Sequence, residues 1–229
     1  MAKPLFTFVI KFFMKGNGKM KKRFNFMDYI PLISNGAKIE ISIFLLFFAF
    51  ASTVVYKESL DSLICVTAMF FSFLGDISLN IMPIEKRPKW LMCIGATFFM
   101  IAHLVYAKAY YLLIKNSYEF INPGMIISSV FMVLFLIISI ICIIKSKYSL
   151  EAPIILVFII YIFMIGINFI TICSYSWSAK ALSFIGALSF LISDFIIGIE
   201  TAFKIKNDTL RKLVWIFYPI GQFLIIYCR

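Results

Sequence analysis

Along this chain the apolar positions neither alternate with polar ones nor recur as a narrow stripe. They run on for about twenty residues at a time and then stop at short polar or proline-bearing breaks. At 1.5 Å of rise per residue, a helix of that length crosses about 30 Å of hydrocarbon. Seven such runs lie at 39–56, 62–82, 90–113, 123–144, 151–173, 180–203 and 212–228. They are continuously apolar, without the two-residue period of a barrel strand, so the spanning form is the helix, which satisfies its own backbone inside lipid. Pro83, Pro88, Pro123 and Pro153 sit at or near run ends, where proline punctuates a helix without breaking it. The pattern predicts an all-α, polytopic helical membrane protein with seven transmembrane helices, 39–229 forming one helical domain.

Composition agrees and excludes a water-soluble domain. Of the 229 residues 62% are apolar and 14% charged, with a mean hydropathy of +0.99, against about 45–50% and about 25% in soluble domains. The 22 Lys and Arg exceed the 11 Asp and Glu, for a formal charge of +11. With the N-terminus on the cytoplasmic side, seventeen basic residues fall in inner segments. Five (Lys57, Lys108, Lys115, Lys180 and Arg229) fall outside. The surplus is therefore read as a topology signal, helped by anionic lipid, and calls for no nucleic-acid partner.

Residues 1–38 form a basic N-terminal segment. Its apolar stretch from Pro4 to Met14 is interrupted by Lys11 and followed by a basic run to Arg23. That suits either a short amphipathic helix on the inner leaflet or a degenerate extra span. No small-residue cleavage site follows, which argues against a removed signal peptide.

Cys65, Cys93, Cys142, Cys173 and Cys228 fall inside apolar runs with no metal-ligand spacing and read as core thiols. His103 is the single histidine, so a zinc site built on two or three imidazoles is not available within one subunit. No metal and no cofactor are expected.

Carboxyls at the centre of a membrane helix cost about 2.5–3.5 kcal/mol each, so an apolar chain carries them for a reason. Asp76 lies late in the second run and Asp194 in the sixth, both in the inner half by helical rise, able to face one another across one cavity. Ser72 and Asn80 flank Asp76 by one turn, Tyr106 follows His103 at i+3, and Gln222 follows Tyr218 at i+4, so each set shares a helix face. Gly75, Gly186, Ala187 and Gly198 allow close helix approach. Glu200 is nearer the interface and reads as a local partner of Lys204. Asn168 reads as a helix–helix contact, and Trp90, Trp177 and Trp215 as an interfacial belt.

Taken together, Gly75–Asp76, Phe99-x-x-x-His103-x-x-Tyr106, Ser193–Asp194 and Tyr218-x-x-x-Gln222, in that order, make the chain resemble the YhhN family of lysoplasmalogenases from about Lys38 to its end. Two features depart from that family's pattern. Ile39 follows Lys38 where the family carries a Lys-Pro-like element, and the first of the family's eight helices has no counterpart beyond Pro4 to Met14.

The resemblance implies hydrolysis of the vinyl ether bond of a lysophospholipid, a lysoplasmalogen, to a fatty aldehyde and a glycerophospho-base. Carbon protonation of a vinyl ether needs an acid, and two carboxyls in one apolar cavity share a proton between them. Asp76 and Asp194 are the expected catalytic pair. Asn80, His103, Tyr106, Tyr218 and Gln222 are the groups expected to orient the pair, the water and the glycerol oxygens. Lys86, Arg87 and Lys89 stand at the inner mouth, where they meet the lipid phosphate or merely set topology. A proton-coupled transporter is the main rival, since Asp and His chains also relay protons, although no internal repeat supports it. A non-catalytic lipid-binding membrane protein is a third possibility.

Overall fold

The computed structural model describes residues 32–56, 59–82, 86–117, 121–145, 152–178, 181–203, 207–227 and 229. The N-terminal stretch from Pro4 to Met14 and the basic run after it lie outside the described residues, as does Lys204. Seven helices appear among those described: α1 (Asn35–Val55), α2 (Leu60–Asn80), α3 (Lys89–Ser117), α4 (Pro123–Lys145), α5 (Ala152–Ser178), α6 (Ala181–Phe203) and α7 (Asp208–Tyr227). All seven are long and apolar enough to cross a membrane, and the protein is a multi-pass integral membrane protein.

Three of the helix starts have a local cause in a side-chain cap. Ser34 opens α1 by accepting from the Ala37 amide at 3.2 Å. Asn122 caps α4 through the Met125 amide at 3.0 Å, while its own amide donates to the Ser174 carbonyl of α5 at 2.9 Å. Asn207 caps α7 through Thr209 at 2.9 Å, so this helix starts at Asp208, a turn before the apolar run at 212.

Consecutive helices joined by short breaks pack as neighbours, with one exception. Helix α3 packs against α2 and α5, while α4 rests on α5. The contacts α1–α2, α2–α3, α3–α5, α5–α6, α6–α7 and α7–α1 close a ring of six helices, with α4 on its outside. Helix α4 accordingly leaves Ile126, Ile127, Val130, Val133, Leu134 and Ile138 exposed, a face suited to lipid tails.

Small residues bring the ring walls together. A Cβ on Gly186 would stand 2.8 Å from the Leu224 Cβ, and one on Gly221 would stand 2.9 Å from the Phe190 nitrogen, so α6 and α7 touch backbone to backbone. Gly75 lets the Phe99 ring lie flush on α2, since a Cβ there would come within 2.7 Å of the ring.

The two ends of the ring differ. At one, the Tyr56 hydroxyl donates to the Tyr227 carbonyl at 2.5 Å, and Arg229 approaches Asp61 at 3.6 Å. The other, hereafter the basic end, carries Lys38, Arg87, Lys89 and Arg211. There Glu200 pairs with Arg211 at 3.8 Å; its expected partner Lys204 lies outside the described residues.

Candidate active site

All six ring helices turn polar side chains inward. Asp76 of α2 is 4% exposed, and its Oδ2 accepts from the Ser42 hydroxyl of α1 at 2.6 Å and the Tyr218 hydroxyl of α7 at 2.5 Å. Short charge-assisted or acid-type O–H···O contacts of this kind are about twice as strong as ordinary neutral ones. Beyond Tyr218, Gln222 donates to Ser72 of α2 at 3.1 Å and accepts from the Tyr106 hydroxyl of α3 at 2.7 Å. Four helices are thus tied around Asp76 by buried, satisfied groups, an arrangement that rigidifies a bundle.

Asp194 of α6 has a different set of partners. Its Oδ2 accepts from the Tyr161 hydroxyl of α5 at 2.8 Å and lies 3.3 Å from His103 Nε2 of α3. His103 Nδ1 in turn lies 3.1 Å from the Asn168 amide nitrogen of α5. The other oxygen, Oδ1, has a long contact of 3.5 Å to Ser193.

The two carboxyls are expected from the sequence to stand across one cavity with a proton shared between them. No hydrogen bond joins the two carboxyls among the described residues, and each has its own donors. Aromatic rings stand between the two clusters. Phe190 packs 4.8 Å from the His103 ring and 5.5 Å from the Tyr218 ring, and Phe99 meets Tyr218 edge-on at 6.1 Å. Of the expected orienting residues, His103 joins Asp194, while Tyr106, Tyr218 and Gln222 join Asp76. Asn80 donates to the backbone carbonyl of Asp76 at 2.9 Å, within its own helix, and does not reach the carboxyl.

A cavity of about 130 Å³ lies between α2, α3, α5 and α6. Arg87 and Lys89 line it at the basic end. Apolar walls come from Leu79, Met92, Ala96, Val157, Phe158 and Ile197, and Phe99, Tyr161 and Asp194 lie farthest in. From Lys89 to Phe99 is ten residues of α3, or about 15 Å of depth. Lys86 is exposed and does not line the cavity. Asp76 does not line it either; Phe99, backed by Gly75, stands at the wall beside it.

Several contributors escaped the sequence reading. Ser42 looked like a helix serine in an apolar run, and it does bond back to the Lys38 carbonyl at 3.1 Å besides reaching Asp76. Tyr161 passed for one of many membrane tyrosines, although it stands seven residues before Asn168, two turns along the same face of α5. Cys93, read as a core thiol, lines the cavity. The Trp215 ring packs 5.6 Å from Tyr218, and the Lys38 ammonium lies 5.5 Å above it. Trp90 and Trp177, by contrast, are exposed near helix ends.

The fold and this interior define a polytopic helical membrane protein with two buried aspartates, one of them at a half-open, largely apolar cavity. A family model described as the YhhN family matches residues 35–228, nearly the whole described chain, and the protein belongs to the YhhN family. No curated protein and no solved structure matches the chain at a significant level.

Proposed function

We propose that this protein is a membrane-embedded hydrolase that cleaves the vinyl ether bond of lysoplasmalogens to a fatty aldehyde and a glycerophospho-base. The observation that carries the reading is the cavity, with cations at its mouth, apolar walls along its length and a carboxyl at its inner end. A lysophospholipid presents the matching sequence of groups: an anionic phosphate, a short glycerol spacer, then the ether and its hydrocarbon. Arg87 and Lys89 meet the phosphate, and the apolar wall meets the first carbons of the alkenyl chain.

The chemistry follows from the two oxygens of Asp194. Oδ2 already accepts from Tyr161 and faces His103 Nε2, which leaves Oδ1 to carry the transferable proton. In its protonated form Asp194 gives that proton to the alkenyl carbon remote from the ether oxygen, and the ether carbon becomes an oxocarbenium ion. The carboxylate left behind stabilises the cation and takes a proton from the water that attacks it. The resulting hemiacetal collapses as Asp194 gives that proton to the glycerol oxygen and takes the hemiacetal hydroxyl proton in return, releasing aldehyde and restoring the acid. A carboxylate beside a glycosyl oxocarbenium ion stabilises it in the same manner.

Asp76 is the second member of the pair and works from behind the wall. It holds the Tyr218 hydroxyl, and Tyr218 packs on the Phe99 and Phe190 rings that face the reacting groups. Gln222, Tyr106 and Asn80 keep that support in place. The basic end is assigned to the cytoplasmic side, in keeping with the excess of Lys and Arg there.

The test is aldehyde release by the purified, detergent-solubilised protein from an alkenyl lysophospholipid. Asp194→Asn is expected to abolish turnover and Asp76→Asn to lose most of it, each eluting from size exclusion as the wild type does. Substantial turnover in both variants, or none in the wild type, overturns the reading.

A further inference from the structure

Asn168 is buried at 3% exposure, and its carboxamide makes a single described hydrogen bond, Nδ2 to His103 Nδ1 at 3.1 Å. Its Oδ1 is buried with no partner. The amide joins α5 to α3, as expected of a helix–helix contact, and does so through the imidazole alone, with no described hydrogen bond to a backbone group or a second side chain. It serves the imidazole. With Nδ2 turned toward the ring, Nδ1 accepts only through a lone pair, an arrangement that assigns the ring proton to Nε2, 3.3 Å from Asp194 Oδ2.

We infer that Asn168 is a positioning residue that fixes the tautomer of His103 and thereby decides which oxygen of Asp194 carries the acid proton. The inference deepens the hydrolase reading and rests on it for its kinetic arm alone. With Nε2–H donating, Oδ2 accepts from both His103 and Tyr161, and the acid proton stays on Oδ1. With the other tautomer, Nε2 would present a lone pair to Oδ2, and the acid proton would be held between the two, away from the substrate. The choice exchanges one N–H bond for another, with the single ring proton on Nε2 or on Nδ1 and the imidazole neutral in both. The other titratable groups around the imidazole are Asp194 from α6, Tyr161 from α5 at 5.8 Å between rings, and Asp76 from α2 beyond Phe190 and Tyr218. Tyr106 and Tyr110 lie on its own helix and bond to α7 instead.

His103 is the chain's single histidine, which makes the test direct. Protein labelled with ¹⁵N-histidine gives one pair of ring nitrogen signals. The wild type is expected to show a pyridine-type Nδ1 and a pyrrole-type Nε2 at neutral pH. The reverse assignment, or a doubly protonated ring, overturns the inference whatever the protein's activity. In Asn168→Asp the carboxylate accepts from the ring, so the proton is expected to move to Nδ1. In the same variant kcat falls about 100-fold or more, the scale of lost general acid catalysis, with little change in KM. Asn168→Leu keeps the volume and loses the donor; it is expected to show a mixture of tautomers and an intermediate kcat. A purely structural role would lower thermal stability in both variants and leave the tautomer and kcat of the folded fraction unchanged, and that result would refute the inference.

Discussion

Gly198 sets the width of the cavity, and lengthening it by one methyl tests whether that space holds substrate. An added Cβ would stand 2.7 Å from Phe158 Cζ and 3.0 Å from Cε2. Carbon pairs rest at about 3.5–4.0 Å, so the Phe158 ring must retreat by about 1 Å. Both residues line the cavity, and movement away from α6 carries the ring across it. Overpacking of this kind costs about 1–3 kcal/mol. Where a bound lipid must push the ring back, the cost falls on binding, about 5- to 150-fold at 1.4 kcal/mol per decade. Gly198→Ala is therefore expected to raise KM for an alkenyl lysophospholipid in mixed micelles at least about fivefold, and Phe158→Ala in the same chain to restore it. The two changes should couple by about 0.5–3 kcal/mol in a double-mutant cycle. An unchanged KM with additive effects would refute the reasoning, since the ring would then be moving away from the substrate path.

Removing either hydroxyl from Asp76, by Ser42→Ala or Tyr218→Phe, should lower stability by about 1.5–3 kcal/mol, because a buried carboxyl loses a short hydrogen bond; thermal unfolding in one detergent measures it. Gly221→Leu should be worse than either, since its side chain would enter the Phe190 backbone, and loss of the folded species by size exclusion is the expected result. Arg87→Ala and Lys89→Ala should raise KM for a phosphate-bearing lysolipid but not for an alkenylglycerol without phosphate, and added salt should shrink the difference.

Much of this architecture was written in the chain. Runs of unbroken hydrocarbon give the seven spans because lipid leaves the backbone no other partner, and every helix was found where its run lay. The buried aspartates, His103, Tyr106, Tyr218 and Gln222 stood out because polar groups are costly at those depths. Their grouping was less accessible. Position along a span fixes the height of a side chain, but its direction around the helix depends on packing. So Asp76 and Asp194, similar in depth, were expected to face one another across one cavity, and of the two only Asp194 lines it, with Phe99 at the wall beside Asp76. Ser42 and Tyr161 carry no signal of their own, since serine bonds back to its own helix and tyrosine is common at membrane interfaces. The ring order, with α4 set outside, depends on contacts such as Asn122 to Ser174 that no periodicity encodes.

Carbon protonation leaves an isotopic record, and reading it is the most direct trial of the proposed chemistry. A single turnover on an alkenyl lysophospholipid in D₂O, with the aldehyde trapped at once, is expected to yield product bearing one deuterium on the carbon next to the carbonyl. Asp194→Asn should form no such product. Aldehyde free of deuterium from the wild type, or deuterated aldehyde formed at the wild-type rate by Asp194→Asn, would contradict the account.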